Sequence, residues 1–308
     1  MAPAAKTVCV MDASSGTGSA LVAALLQRGY NVHASVQNHE ELQCVKGNTN
    51  KLKVCRSDPL DYHSIMNALK GCSALFYSFQ PPPDHSTYDE LMVEIEVRAA
   101  HNVLEACAQT DTIEKVIFTS SVTAVIWRDG IKTMSSDVDE RHWSDVNLCK
   151  KFKLWHALSK TLAEKTAWAL AMDRGVNMVT INGGLVMGHD LTINNPYLKG
   201  AAEMYEDGLL VTVDLKFIVD AHICVLEDVS SYGRYLCFNN IINSHEEALT
   251  LAHMLLPPSS EAFSHSSLEE SVVYQQGISN KKLIKLMVDF EKVGFHVDHR
   301  SCLPNKIN

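Results

Sequence analysis

Six short apolar runs recur along the first part of the chain: Thr7–Met11, Asn31–Val36, Lys53–Cys55, Ser73–Tyr77, Lys115–Thr119 and Val176–Ile181. Runs this short and this rich in β-branched residues read as buried strands. Helical patterns lie between them: Ser19–Gln27, the segment Tyr88–Thr110 that holds Asn102–Cys107, and Trp155–Lys165. Repeated strand–helix alternation predicts an α/β protein, a doubly wound parallel sheet with helices on both faces. Ligands then bind outside the carboxyl ends of the strands. Ser121, Asn182 and Gly183 all fall at such ends.

The chain has 308 residues, 46% of them hydrophobic, enough to bury one substantial core. It is expected to be a single domain over residues 1–308, with a smaller lobe formed mainly by 188–212 and 239–308. A formal charge of −9 leaves no electrostatic footprint for nucleic acid or an anionic membrane. The N-terminal residues Met1–Lys6 lack a signal-like apolar core, and the run after them is too short to span a bilayer. The nine cysteines are scattered, odd in number and form no CxxC pair, which predicts reduced thiols in a cytoplasmic protein. The fourteen histidines show no ligand spacing, so no metal is assigned.

The turn after the first strand is Asp12-Ala13-Ser14-Ser15-Gly16-Thr17-Gly18, followed by a helix. Strand, small-residue turn and helix is the setting in which backbone amides face a pyrophosphate. Asp12, Ser14, Ser15, Gly16, Thr17 and Gly18 are therefore candidate cofactor contacts. Beyond the second strand, an acid would hold ribose hydroxyls and an Arg a 2′-phosphate; Gln37 is neither. In the later helix, His156 and Lys160 lie four apart on one face. A hydroxyl at a strand end, Ser121, can meet both in one cleft.

That trio resembles the Ser-Tyr-Lys site of the short-chain dehydrogenase/reductase superfamily, with His156 at the tyrosine position. The resemblance sharpens over Asp139-Glu140-Arg141-His142-Trp143-Ser144-Asp145 and on to Trp155, then Ser159–Lys165, Gly184–Gly188, Ala221-His222-Ile223, Gly233–Cys237 and Ser279–Leu283. These stretches are similar to the plant cinnamoyl-CoA reductase and dihydroflavonol reductase group of extended members. The chain is most like the cinnamoyl-CoA reductase-like proteins that lack the full catalytic set. The resemblance implies a Rossmann-type fold, NADP(H) as cofactor and a phenylpropanoid-like small-molecule ligand. It further implies that Ser121 polarises a carbonyl, with Thr123 a secondary hydroxyl, and that Lys160 holds the nicotinamide ribose. Asp58, with Leu60, stands where the family reads the adenine, and one Asp there can also cap the next helix. Ser78 begins the loop beside the cofactor ribose, where Phe79 is bulkier than the family's small residues.

Several positions depart from the family. Asp12 replaces the first glycine of the turn and Ser15 another. Gly183 replaces a proline, His189 follows Gly188 where a proline is usual, and Phe217 replaces an aspartate. The family's Asn-Trp-Tyr-Cys-Tyr-Gly-Lys signature reads Leu154-Trp155-His156-Ala157-Leu158-Ser159-Lys160. An imidazole has a pKa near ~6.5, and a neighbouring ammonium lowers it. His156 is thus expected to be neutral at pH 7 and a reluctant proton donor. Together these changes imply a reductase fold with weak or absent NADP-dependent carbonyl reduction and weakened cofactor binding, the protein acting through a ligand or a protein partner. Two alternatives stand beside it. One is an NADPH-dependent reductase of an aldehyde, ketone or CoA thioester using Ser121, His156 and Lys160. The other is a non-redox isomerase or lyase with His156 as acid or base. Met187, Tyr197, Met204 and Tyr205 are candidate pocket linings, with core packing as their ordinary role.

Overall fold

A computed structural model describes residues 6–37, 50–79, 81, 88–130, 137–188, 191–255 and 273–298. His189, Cys44 and Cys302 lie outside the described residues, as does part of the expected lobe. In chain order the strands are β1 Thr7–Met11, β2 Asn31–Val36, β3 Leu52–Arg56, β4 Ala74–Ser78, β5 Lys115–Ser121, β6 Met178–Gly183, β7 Leu185–Met187, β8 Val211–Asp214, β9 Gly233–Cys237 and β10 Asn240–Ile241. Seven of them form one parallel sheet in the order β3-β2-β1-β4-β5-β6-β9. This is the doubly wound, Rossmann-type architecture that the alternation predicts.

The helices are α1 Gly16–Gln27, α2 Tyr62–Leu69, α3 Glu90–Ala108, α4 Thr123–Ile126, α5 Val146–Lys151, α6 Trp155–Arg174, α7 Ala201–Glu206, α8 Leu215–Glu227, α9 His245–Leu255 and α10 Lys281–Asp298. Period-two alternation sends Val8 and Val10 of β1 to one core and Cys9 and Met11 to the other. The first core takes Leu21, Val22 and Leu25 of α1, Ile218 and Val219 of α8, and Leu283 of α10. The second takes Ile65 of α2, Met92 and Val103 of α3, and Ala163 and Ala167 of α6. A strand covered on both faces needs a continuous apolar sequence, which is why the runs stand out.

The strands nearest the site run further than their apolar runs. β4 includes Ser78, β5 includes Ser120 and Ser121, and β6 includes Asn182 and Gly183. Parallel neighbours supply ladder partners to these residues, so Ser121 pairs with Gly183 in register. β9 carries no long apolar run. It is held as a strand by β6, with Gly183 opposite Cys237.

A smaller sheet, β10-β8-β7, packs beside the carboxyl ends of the large one. Its core gathers Leu185, Val211, Leu236, Leu251 and Ile278. Tyr197 and Met204 belong to that core, and the Tyr197 hydroxyl donates to the Val211 carbonyl at 3.1 Å. Tyr205 is partly buried and stacks edge-on against Tyr274. Tyr197 and Met204 therefore pack as core: each buries a large apolar surface that would otherwise face water.

Among the described residues, no helix is long and apolar enough to cross a membrane. No group of potential metal ligands gathers among them. Cys9, Cys55, Cys72, Cys107, Cys149, Cys224 and Cys237 are unbridged, and all but Cys55 are buried.

Candidate active site

The turn after β1 keeps the shape a glycine would give it. Asp12 sits at φ 71°, in the left-handed region, which costs an L-residue about 1–2 kcal/mol. Its carbonyl accepts from the Ser15 hydroxyl at 3.1 Å. The same Ser15 oxygen accepts from the Gly18 amide at 3.0 Å, so Ser15 is the N-cap of α1. Helix α1 thus begins at Gly16, earlier than the expected Ser19, because the Ser15 side chain closes its first turn. Gly16 is exposed and the first turn holds no acid, which leaves the positive end of the helix uncancelled.

Gly18 is required by close approach. A Cβ there would lie 1.9 Å from the Asp12 carbonyl oxygen. Replacing Gly18 by Ala is expected to destabilise the protein by about 1–3 kcal/mol, although alanine is the better helix former. Denaturant unfolding of the variant checks this, and an unchanged midpoint would show that α1 shifts without cost.

The neighbouring pocket is tight. Met11, Asp12, Ser35, Gln37, Ser57, Tyr77 and Ser78 enclose about 10 Å³, the room of roughly one water. Within it the Tyr77 hydroxyl and the Ser57 Oγ are buried without a hydrogen-bond partner among the described residues, a natural place for such a water. Burial, then the carboxylates of Glu96 and Asp12, push the Tyr77 hydroxyl well above its ordinary pKa. Asp58 is exposed and accepts from the Leu60 amide at 2.8 Å, so it shapes its own turn. The N-cap of α2 is Asp61, which accepts from the amides of His63 and Ser64. The capping role expected of Asp58 belongs to Asp61, because an N-cap must immediately precede the first helical residue.

Thr123 links Ser121 to His156, and Lys160 follows His156 one turn along α6. The Thr123 amide and hydroxyl donate to Ser121 Oγ at 3.2 and 3.0 Å. Thr123 Oγ1 lies 3.2 Å from His156 Nδ1. Threonine has one hydroxyl proton. With that proton on Ser121, His156 Nδ1–H donates to Thr123 and Nε2 is left as the basic nitrogen. The Tyr88 and Tyr197 rings meet the imidazole edge-on, at centroid distances of 5.1 and 6.3 Å. Burial first, and the Lys160 ammonium second, hold the His156 pKa well below its ordinary value.

Lys160 has a partner that the motif spacing does not reveal. Its Nζ lies 2.7 Å from Glu96 Oε1, and both side chains are almost enclosed. Glu96 Oε2 accepts from the Ser159 hydroxyl and, at 3.4 Å, from the Tyr88 hydroxyl. The Phe79 ring stands 5.6 Å from the same ammonium. A signal for Glu96 exists in the sequence: it falls in the i, i+3, i+4 spacing of Met92, Val93, Ala99, Ala100 and Val103, the buried face of α3. A charge on such a face asks for a partner.

One turn further along α6, Glu164 fixes the helix to the sheet. It accepts from Ser120 Oγ at 2.8 Å and Asn182 Nδ2 at 2.7 Å, and from Arg234 Nε at 2.6 Å. Arg234 donates to the carbonyls of Glu140 and His142 and lies 3.6 Å from the centre of the Trp143 ring. This network sets the height of His156 and Lys160 over the strand ends. Behind β6, a Cβ at Gly184 would lie 3.0 Å from the Val211 carbonyl oxygen, so the second glycine lets the small sheet approach. Phe217 packs partly buried against the first core.

His156 opens on a cleft of about 840 Å³, lined also by Tyr88, Lys153, Trp155, Asn194, Pro196 and Lys199. Its size suits a small molecule. Toward a dinucleotide the arrangement is divided. The exposed amide end of α1 fits a pyrophosphate. At the other end Lys160 is already held by the buried Glu96 carboxylate and stands beside the His156 ring.

Residues 13–145 match the NAD(P)H-binding family model. The chain is 33% identical to cinnamoyl-CoA reductase 1 of Petunia hybrida, over 94% of this chain and 89% of that protein. It is 30% identical to tetraketide alpha-pyrone reductase 1 of Arabidopsis thaliana, over 92% and 93% of the two chains. Among solved structures, vestitone reductase from alfalfa superposes with a TM-score of 0.66 at 26% identity, covering 91% of each chain.

Proposed function

The chain belongs to the extended short-chain dehydrogenase/reductase family, in the group of the cinnamoyl-CoA reductases, and from that premise we propose that it carries out NADP-dependent carbonyl reduction weakly or not at all. One observation supports this above the others. His156, which the resemblance sets at the position of the family's phenol, has a ring kept neutral by burial and hydrogen-bonded to Thr123. Reduction of a carbonyl needs a proton at the developing alkoxide, and a neutral imidazole surrenders one reluctantly. Loss of a well-placed acid costs about 10²–10⁴-fold in rate. In this reading the His156 cleft holds a phenylpropanoid-like ligand and the protein acts by binding, in the cytoplasm, through that ligand or a protein partner. The whole chain serves as one domain, with the region around the small sheet as its ligand lobe.

A second reading rests on the same ring. A basic Nε2 beside a small-molecule cleft suits acid–base chemistry that uses no nicotinamide.

The test titrates the purified protein with NADPH and NADH, by calorimetry and nicotinamide fluorescence. A panel of phenylpropanoid aldehydes, ketones and CoA thioesters follows. Weak or absent nucleotide binding and no steady-state turnover are expected. A robust reductase rate would overturn the proposal, and a cofactor-independent activity abolished by His156→Ala would select the second reading.

A further inference from the structure

We propose that Glu96 is a positioning residue that holds the lysine of the site on an internal carboxylate and so keeps the nicotinamide half of the dinucleotide out. The inference rests on the reading that nucleotide binding is weakened, and it names the group responsible. Glu96 is 2% exposed, on the face of α3 that packs against α6. Its two oxygens receive three donors from two directions: Lys160 and Ser159 from α6, and Tyr88 from the segment before α3. Lys160 is the charged one, at 2.7 Å.

Geometry makes the carboxylate a strong competitor. A buried ion pair with additional hydrogen bonds is hard to open, because removing one partner strands the other charge away from water. A ribose hydroxyl offers a neutral acceptor, and an ammonium prefers a carboxylate to it. The Phe79 ring lies 5.6 Å from Nζ and the residue is only 7% exposed, so it fills space beside the amine. Among the described residues, the pocket near Asp12 offers no substitute cation. Its described lining is Met11, Asp12, Ser35, Val36, Gln37, Ser57, Pro59, Tyr77 and Ser78.

The experiment compares the wild-type chain with Glu96→Gln, which keeps the shape and the acceptor oxygen but removes the charge. NADPH is the probe, followed by nicotinamide fluorescence and calorimetry. Glu96→Gln is expected to bind NADPH about tenfold more tightly, the gain from one charge-assisted hydrogen bond returned to the ligand. Adding Lys160→Met to Glu96→Gln should erase that gain, a coupling that a purely structural role of Glu96 does not produce. Glu96→Met, uncharged and similar in volume, is the second variant. A folded Glu96→Gln or Glu96→Met that binds NADPH no better than wild type overturns the proposal. So does a gain that survives Lys160→Met, and so does failure of both variants to fold, which would make Glu96 a structural residue only. Tight NADPH binding with turnover in the wild type would instead end the reading under Proposed function, independently of position 96.

Discussion

Glu164→Ala is expected to lower stability by about 3–5 kcal/mol, enough to drop the melting temperature by roughly 5–8 °C. Native domains hold only about 5–15 kcal/mol in all, so this single change removes a large share. The reason is the number of groups it strands. Arg234 Nε loses its partner at 2.6 Å while its side chain stays enclosed between Trp143 and the sheet. Asn182 Nδ2 keeps only the Ser121 carbonyl, at 3.2 Å, and the Ser120 hydroxyl loses its acceptor. An unpaired buried charge is the costliest of these. Glu164→Gln keeps an acceptor and should fall between wild type and Glu164→Ala. The control is Arg28→Ala, which breaks the Arg28–Glu227 pair, 2.9 Å long but with side chains 42% and 23% exposed. That pair should contribute no more than about 1 kcal/mol. Denaturant unfolding of the three variants measures the contrast, and equal losses for Glu164→Ala and Arg28→Ala would refute the argument.

The second large effect is with pH. His222 is 1% exposed; its Nδ1 donates to the Ile218 carbonyl at 2.7 Å and its Nε2 accepts from Thr119 Oγ1 at 2.8 Å. Both ring nitrogens are satisfied in the neutral form, and burial, which penalises the charged ring, lowers its pKa to about 4. In the unfolded chain the same ring binds a proton near pH ~6.5. Between those two values the unfolded state carries more protons, so stability rises with pH. This contribution is complete above pH ~6.5 and is lost as pH falls toward 4, a total of about 3 kcal/mol at roughly 1.4 kcal/mol per unit. His156, whose pKa is also lowered by burial, acts in the same direction. Asp139, where burial is outweighed by the hydrogen bonds and charge of Arg141, and Glu247, lowered first by the Asn243 amide, extend the loss to more acid conditions. His33 opposes it. Its pKa is raised, chiefly by the hydrogen bond with Cys72, so its contribution is present at low pH and lost as pH rises. Unfolding free energies at about pH 7.5, 6, 5 and 4.5, which span most of the window between the two His222 values, test the sum. His222→Asn should be less stable at neutral pH and show a shallower slope; an unchanged slope would remove His222 from the account.

Much of this protein was decided locally. Short apolar runs, a small-residue turn and helical periods are properties of a few neighbouring residues, and a strand buried on both faces has no polar alternation to obscure it. That is why the first six strands, the parallel sheet and the helix that follows the first turn are legible in the chain. Element ends were less legible. Ser121 and Gly183 extend their strands only when a neighbour supplies the ladder, and α1 gains its first turn from the Ser15 cap.

What the tertiary structure decided is which partner each polar group takes. Glu96 and Lys160 are 64 residues apart, Glu164 and Arg234 are 70. No local pattern contains a pair so distant, and a charge reads the same in sequence whether it meets water or a counter-ion. Packing α3 on α6 and laying β9 beside β6 removes the water and leaves each charge only the buried groups that face it. In a low-dielectric interior that choice outweighs local preference, and it is what turns a recognisable lysine into one already occupied.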